Sequence, residues 1–253
     1  MTDIVLFDNG AHRNVLLEDS GGAGLSVQAN QHLIVRNGEA MLLDPGGHKV
    51  YSKVMAKTFS ALGGGASLRY LFLSHQDPDI VAAVNGWLMT TDATAYISAL
   101  WVRFVPHFGL DHLLEHRLLP IPDQGATFEM GGGTLFALPA HFLHSEGNFQ
   151  LYDPVAKILY TGDLGASLGQ DYIEVTDFDA HLKYMEGFHR RYMTSKLVMS
   201  AWARMVRPLD IDIIAPQHGA LFRGKPMVGK FIDWCANLEC GIDLITPLFK
   251  APA

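Results

Sequence analysis

Four short apolar runs in this chain, at positions 70–73, 135–138, 158–160 and 211–214, each lead toward a histidine or an aspartate. The first is followed by Ser74-His75-Gln76-Asp77-Pro78-Asp79, the second by His144, the third by Asp163 and the fourth by His218. Runs this short read as strands, and strand ends on one edge of a fold converge in space. Singly, the members say little. The chain holds 12 histidines, and Asp-Pro-Asp is more often turn chemistry, because Asp accepts local backbone hydrogen bonds and Pro fixes φ. Jointly they supply three imidazoles (His75, His144, His218) and three carboxylates (Asp77, Asp79, Asp163), more than one ion uses. Such a set suits two metal ions sharing a carboxylate, each with room for a solvent or substrate ligand.

At 253 residues, 49% of them hydrophobic, the chain is long enough for a sizeable core and within the range of a single sandwich or barrel. No window approaches the roughly 20 unbroken apolar residues that cross a bilayer. The N-terminal residues, Met1 to Val5, lack the basic and apolar regions of a signal peptide, so a cytoplasmic protein is expected. A formal net charge of −7 argues against a nucleic-acid surface or an acidic lipid headgroup as partner, either of which calls for a basic face. A small molecule or another protein is the expected partner, and a homodimer is allowed. Cys235 and Cys240 are the only cysteines, too few for a zinc or iron–sulfur cluster, and are expected as buried thiols in a helical segment.

Turn and periodicity signals place the ligands. Positions 4–43 read as short strands, with Asn37-Gly38 as a hairpin turn. Positions 50–62 have helical spacing stopped by Gly63-Gly64-Gly65. After the strand to Leu73 and the ligand loop, a helix is expected over 80–89, starting under Pro78 and Asp79. A strand at 95–97 and helical material over 99–116 complete the first half. The second half begins with strands at 134–138, 148–152 and 158–160, and then a long helix over 188–205 with Tyr192, Leu197, Trp202 and Val206 near one stripe and Arg190, Arg191 and Lys196 solvating the other face. Two strand-rich halves, each ending in helix, suggest an α/β fold of the αβ/βα sandwich type.

The ordered set His75-x-Asp77-x-Asp79, His144, Asp163, His218 resembles the metallo-β-lactamase superfamily, whose common first motif is H-x-H-x-D-H. Leu42-Leu43-Asp44-Pro45-Gly46 resembles its early strand-to-turn element, Thr161-Gly162-Asp163 its bridging-aspartate strand end, and Ala215-Pro216-Gln217-His218-Gly219 its last histidine. The likeness extends over about positions 29–223. A carboxylate, Asp77, replaces the second histidine, which resembles the β-lactamase-like domain of flavodiiron proteins, with H-x-E-x-D and two non-haem irons that react with oxygen or nitric oxide. Stand-alone oxygen-binding di-iron proteins are the nearest subgroup.

That resemblance implies a four-layer metallo-β-lactamase-like sandwich forming one domain over positions 1–253, without a flavodoxin-like domain or FMN. It implies two iron ions, with zinc or manganese as alternatives: His75, Asp77 and His144 on one, Asp79 and His218 on the other, Asp163 bridging, and His141 outside the set. Carboxylates favour ferric iron while imidazoles keep ferrous iron accessible. Asp77 is one methylene shorter than the family's Glu, and Ile80 stands where a further His is usual, so an open site is expected. The implied function is binding or reduction of dioxygen, with nitric oxide as another candidate, by an oxygen sensor or by a redox protein fed by a separate electron donor. The alternative is a dinuclear hydrolase of a lactone, thioester or phosphoester. Gln76, Glu146, Tyr172 and Tyr192 are candidates to hydrogen-bond around the metals, and the sequence does not choose among them.

Overall fold

Turn chemistry pairs the first strands. In the computed structural model, which describes residues 3–17 and 27–251, β1 (Ile4–Asp8) and β2 (His12–Leu16) flank a turn in which Asp8 accepts from the Gly10 N–H and Asn9 from the His12 N–H. β3 (His32–Arg36) and β4 (Glu39–Leu43) meet through Asn37-Gly38, both with positive φ (46° and 83°), the geometry that matches strand twist. Positions 18–26, inside the expected strand-rich segment, and Met1, Thr2, Pro252 and Ala253 lie outside the described residues.

The chain then crosses by α1 (Tyr51–Leu62) to β5 (Ser67–Phe72), and by α2 (Pro78–Val81) and α3 (Val84–Thr90) to β6 (Thr94–Ser98). β7 (Leu118–Ile121) completes a seven-stranded sheet in chain order, with β4 to β7 parallel. The second sheet has six strands: β8 (Ala126–Met130), β9 (Gly133–Pro139), β10 (Phe149–Asp153), β11 (Ile158–Tyr160), β12 (Ile213–Ala215) and β13 (Phe222–Arg223), ordered from β13 to β8. Helices α4 (Phe178–Tyr192) and α5 (Lys196–Val206) connect β11 to its parallel neighbour β12, and α6 (Lys225–Asn237) and α7 (Ile242–Ile245) follow β13.

Alternation along the strands builds three apolar layers. Ile34, Met41 and Phe72 meet Leu135, Leu151 and Ile158 between the sheets. Their neighbours Leu33, Leu42 and Leu71 point the other way, against Val54 of α1 and Trp87 of α3. Leu159 and Ile214 face Met185 of α4, Trp202 of α5 and Phe231 of α6. Central strands are thus buried on both faces and read as continuous apolar runs. The result is the four-layer αβ/βα sandwich. Among the described residues, no helix is long and apolar enough to cross a membrane.

Three expected elements differ. The single helix over 188–205 is two, α4 and α5, because Met193 and Ser195 are extended and the Ser195 hydroxyl caps α5 by accepting from the Val198 N–H. Leu197 is 76% exposed instead of sharing the stripe of buried Trp202, because five positions on one helix place the two on different faces. The segment 99–116 holds only short 3-10 turns (Val105–Phe108, and His112 to Arg117 running into β7). The helix over 80–89 breaks at Ala82-Ala83 into α2 and α3. Both cysteines are buried and free as expected, but α6 ends before Cys240.

His189 joins α4 to the second sheet. Its Nδ1 donates to the Met185 carbonyl (2.7 Å), and its Nε2 accepts the Gly165 N–H (2.8 Å), two residues beyond Asp163. Burial lowers its pKa to about 4 by penalising the charged ring, and a proton on Nε2 would also displace the Gly165 N–H. The unfolded chain therefore binds this proton first, and stability falls as pH drops from about 6.5 toward 4, by about 3 kcal/mol from this residue. Asp44, raised to about 6 by burial, acts in the opposite sense over the same range, so the difference between proteins isolates His189. Denaturant unfolding of wild type and His189→Gln at pH 7 and pH 4.5 should show a smaller acid loss in the variant; an equal loss would refute the assignment.

Candidate metal centre

Each candidate ligand is held at a strand end by its own backbone environment. Beyond β5, the Ser74 N–H donates to Asp44 Oδ1 at 2.8 Å, and Ser74 Oγ lies 2.9 Å from His75 Nδ1, leaving Nε2 for the site. Asp77 occupies the N-cap position of α2, with Pro78 in the first turn. Its side chain makes no capping bond, so the bland reading of Asp-Pro-Asp as turn chemistry does not account for it. His144 follows a loop held by Asn148, whose amide donates to the carbonyls of Ala140 (3.3 Å) and Leu143 (2.6 Å). Asp163 follows β11 through Gly162, whose carbonyl accepts the Gln217 N–H. His218 Nδ1 donates to the Gln28 carbonyl at 2.6 Å, which fixes its tautomer. Gly219 has φ +84°, and a β-carbon there would collide with Ser167.

The six side chains converge. His144 Nε2 lies 3.0 Å from Asp163 Oδ2 and 3.5 Å from Asp77 Oδ2. His75 Nε2 stands 3.6 Å from Asp77 Oδ2 and 3.8 Å from Asp163 Oδ1. On the other side of Asp163, His218 Nε2 is 3.5 Å from Oδ1 and 3.4 Å from Asp79 Oδ2. Donor atoms of His75, Asp77, His144 and Asp163 all lie within 4.8 Å of one another. Ligands held about 2.1 Å from a shared ion stand about 3.0–3.5 Å apart, so the spacing fits one with little adjustment.

Two buried atoms point the same way: His75 Nε2 and Asp163 Oδ1 have no hydrogen-bond partner, an arrangement that a cation between them would satisfy. In the metal-free chain the groups compensate one another. Burial alone would raise Asp163, but the charge of His75 and the hydrogen bond from His144 bring it down to about 2. Burial would lower His144, but hydrogen bonds to Asp163 and Asp77 push it up to about 10. Asp77 is likewise held well below the usual carboxylate range by the two histidines, against its burial.

Neighbours of the cluster sort the remaining candidates. Gln76 donates to Asp77 Oδ1, and Tyr192 has its ring 5.9 Å from that of His144. Tyr172 instead pairs with His181 (2.8 Å), and Glu146 is exposed. His141 contacts the Asp123 carbonyl, away from the cluster. Three contacts lie outside the sequence-based candidates. Gln217 donates to Asp79 Oδ2 (3.3 Å), Gln28 holds His218, and Phe188 lies 6.2 Å from the His144 ring. Gln217 was within reach through its place beside His218; Gln28 carries no comparable signal. A cavity of about 940 Å³ opens onto the cluster between α4, α2 and the 46–50 turn.

A metallo-β-lactamase-like sandwich with a His/Asp cluster at its strand ends defines the class. A family model described as ODP family beta lactamase matches residues 27–219, and the chain belongs to that family. It is similar to the apo state of chemotaxis sensor ODP from T. denticola, at 39% identity and a TM-score of 0.84, covering 98% of this chain and 99% of that one. A peroxy diiron species of chemotaxis sensor ODP matches at 39% identity with a TM-score of 0.85, over 98% and 100% of the two chains. A mutant form of the flavo di-iron protein from Thermotoga maritima, 17% identical with a TM-score of 0.74 over 92% of this chain and 60% of that one, shares the fold. In sequence, the anaerobic nitric oxide reductase flavorubredoxin of Salmonella arizonae is 22% identical over 219 residues, 81% of this chain and 44% of that protein. The chain spans less than half the length of the curated relatives it matches.

Proposed function

We propose that this chain is a non-haem di-iron protein that binds or reduces dioxygen, acting as an oxygen sensor or as a redox protein served by a separate donor. His75, Asp77 and His144 would hold one iron, Asp79 and His218 the other, and Asp163 both. The observation that carries this reading is the position of Asp163, with Oδ2 against His144 and Oδ1 between His75 and His218. The 39% identity to an oxygen-reactive di-iron sensor supports iron over zinc or manganese, which suit the same donors less specifically. We read the described residues as one domain, and its two free, buried thiols suit a reducing cytoplasm.

Bound there, two irons would supply one-electron redox steps and open positions for a diatomic ligand. The chain's own part is to aim and shield. The Gln28 carbonyl and Ser74 orient the Nε2 atoms of His218 and His75. Phe188 and Tyr192, stacked at 4.7 Å, place their rings beside that of His144 where the cavity opens onto the cluster. Ile80 is fully buried in the α1–α3 core and offers no donor, which keeps the ligand shell incomplete.

Iron analysis of anaerobically purified protein tests the proposal. Two irons per chain and a spectral change on admitting air are expected; one ion per chain after reconstitution, or zinc alone with no iron uptake under reducing conditions, would overturn it. The cavity favours a second reading, a dinuclear hydrolase, because about 940 Å³ is room for a drug-sized ligand rather than a diatomic. Oxygen-insensitive lactone or phosphodiester hydrolysis by a zinc-loaded form would establish that alternative.

A further inference from the structure

Asp77 has a local alternative to facing the histidines. An N-cap aspartate ordinarily accepts from the backbone N–H two or three residues on, a bond that stabilises the start of a helix. Asp77 sits at the N-cap of α2 and makes no such bond. Something else must hold its carboxylate. Gln76 Nε2–H donates to Asp77 Oδ1 at 3.2 Å, the oxygen opposite the one that faces His75 and His144. Gln76 Oε1 in turn accepts the Ser145 hydroxyl, and Ser145 Oγ accepts the indole Nε1–H of Trp101 at 3.1 Å.

The direction of this relay is determined throughout. An indole can only donate, a hydroxyl accepts and donates, an amide accepts at oxygen and donates at nitrogen, and an ionised carboxylate only accepts. The Asp77 end therefore fixes the amide: Gln76 Nε2 must meet the carboxylate, Oε1 then turns to Ser145, and the Ser145 hydroxyl donates to it while accepting from Trp101. A second observation concerns the room for the indole. A β-carbon on Gly147 would lie 2.5 Å from Ser98 Oγ and 2.7 Å from Trp101 Nε1, so only glycine lets the ring reach Ser145. The turn bearing Trp101 is itself closed by the Trp101 N–H on the Ser98 carbonyl (2.9 Å).

We propose that Trp101, Ser145 and Gln76 are positioning residues for Asp77, holding Oδ1 so that Oδ2 stays on the His75–His144 side instead of turning back to cap α2. This rests on the reading of Asp77 as a metal ligand. Breaking the relay frees the carboxylate to cap the helix, and one of the two ion positions weakens while the other does not. Groups that orient a ligand in this way typically change metal affinity 10–100-fold.

Anaerobic Fe(II) titration against a chromophoric chelator, with the thermal midpoint of the metal-free chain measured alongside, tests this. Trp101→Phe, Ser145→Ala and Gln76→Ala should each weaken one of the two ions by about 10–100-fold and leave the other near wild type. Ser145→Thr, which keeps the hydroxyl, should restore affinity. Trp101→Phe added to Gln76→Ala should cost nothing further, because the relay is serial. Wild-type affinity at both positions in Ser145→Ala and Gln76→Ala overturns the relay alone. Equal weakening at both positions with a lowered metal-free midpoint makes these residues merely structural and also overturns it. A wild-type chain that takes up no iron overturns both the relay and the di-iron reading.

Discussion

Asp163→Ala is expected to leave the chain with well under one iron, whereas Asp77→Ala and Asp79→Ala each retain about one. The asymmetry follows from position. Among the six candidate ligands, Asp77 Oδ2 faces the imidazoles of His75 and His144, at 3.6 and 3.5 Å, and Asp79 Oδ2 faces that of His218, at 3.4 Å. Asp163 touches both groups, and it is the most buried of the three carboxylates (side chain 7% exposed against 33% and 47%). Its removal would take a donor from each ion and leave the buried His75 without the more buried of its two counter-charges, a change that water cannot fully offset. Asp163→Asn, close in volume, serves as the folding control and should lose metal while keeping the metal-free fold. Iron per chain after gel filtration reads the result. Two ions retained at wild-type affinity in Asp163→Ala would mean that a different group bridges.

Much of this candidate centre is legible in the sequence because its expected ligands follow strands, of which β11 and β12 are buried on both faces. Apolar runs such as 70–73 and 158–160 need no partner information to be recognised, and the six candidate ligands directly follow them or lie within a short loop. Edge strands carried weaker signals. β7, with Pro120 and two exposed positions, and β8 each pair on one side only, and neither was expected; Pro is tolerated at such an edge. The α4–α5 break was hidden for a different reason. Phe188, Tyr192, Trp202 and Val206 keep helical spacing straight across it, and the local cue, Ser195 as an N-cap before an apolar stretch, is outweighed by periodicity. The groups that aim the ligands were least legible. Trp101 meets Ser145 across 44 positions, Ser145 meets Gln76 across 69, and His218 meets Gln28 across 190, so only the closed fold brings them together.

Loading the metal-free chain should release protons, and its apparent affinity should rise with pH. At pH 7 Asp163, held at about 2, is ionised, and His144, held at about 10, carries a proton. The His144 proton lies where an ion needs the Nε2 lone pair, so binding must expel it. For one displaced proton, apparent affinity climbs about tenfold per pH unit between pH 7 and 9. Titrations at fixed ionic strength, with an indicator dye in weak buffer to count protons, measure both quantities. A flat affinity over that range would show that His144 is already neutral or is not a ligand. The same shifts bear on stability once metal is removed. His144, raised above its unfolded value near 6.5, contributes fully below that pH and loses its contribution as pH rises through about 10; Asp163, lowered from 3.8, contributes above that value and loses it as pH falls through about 2. Between those limits the protonated imidazole neutralises the buried carboxylates as a cation would. Chelation at pH 7 should therefore leave a folded chain, and chelation above pH 10, where neither proton nor metal remains among Asp77, Asp163 and His144, should destabilise it far more.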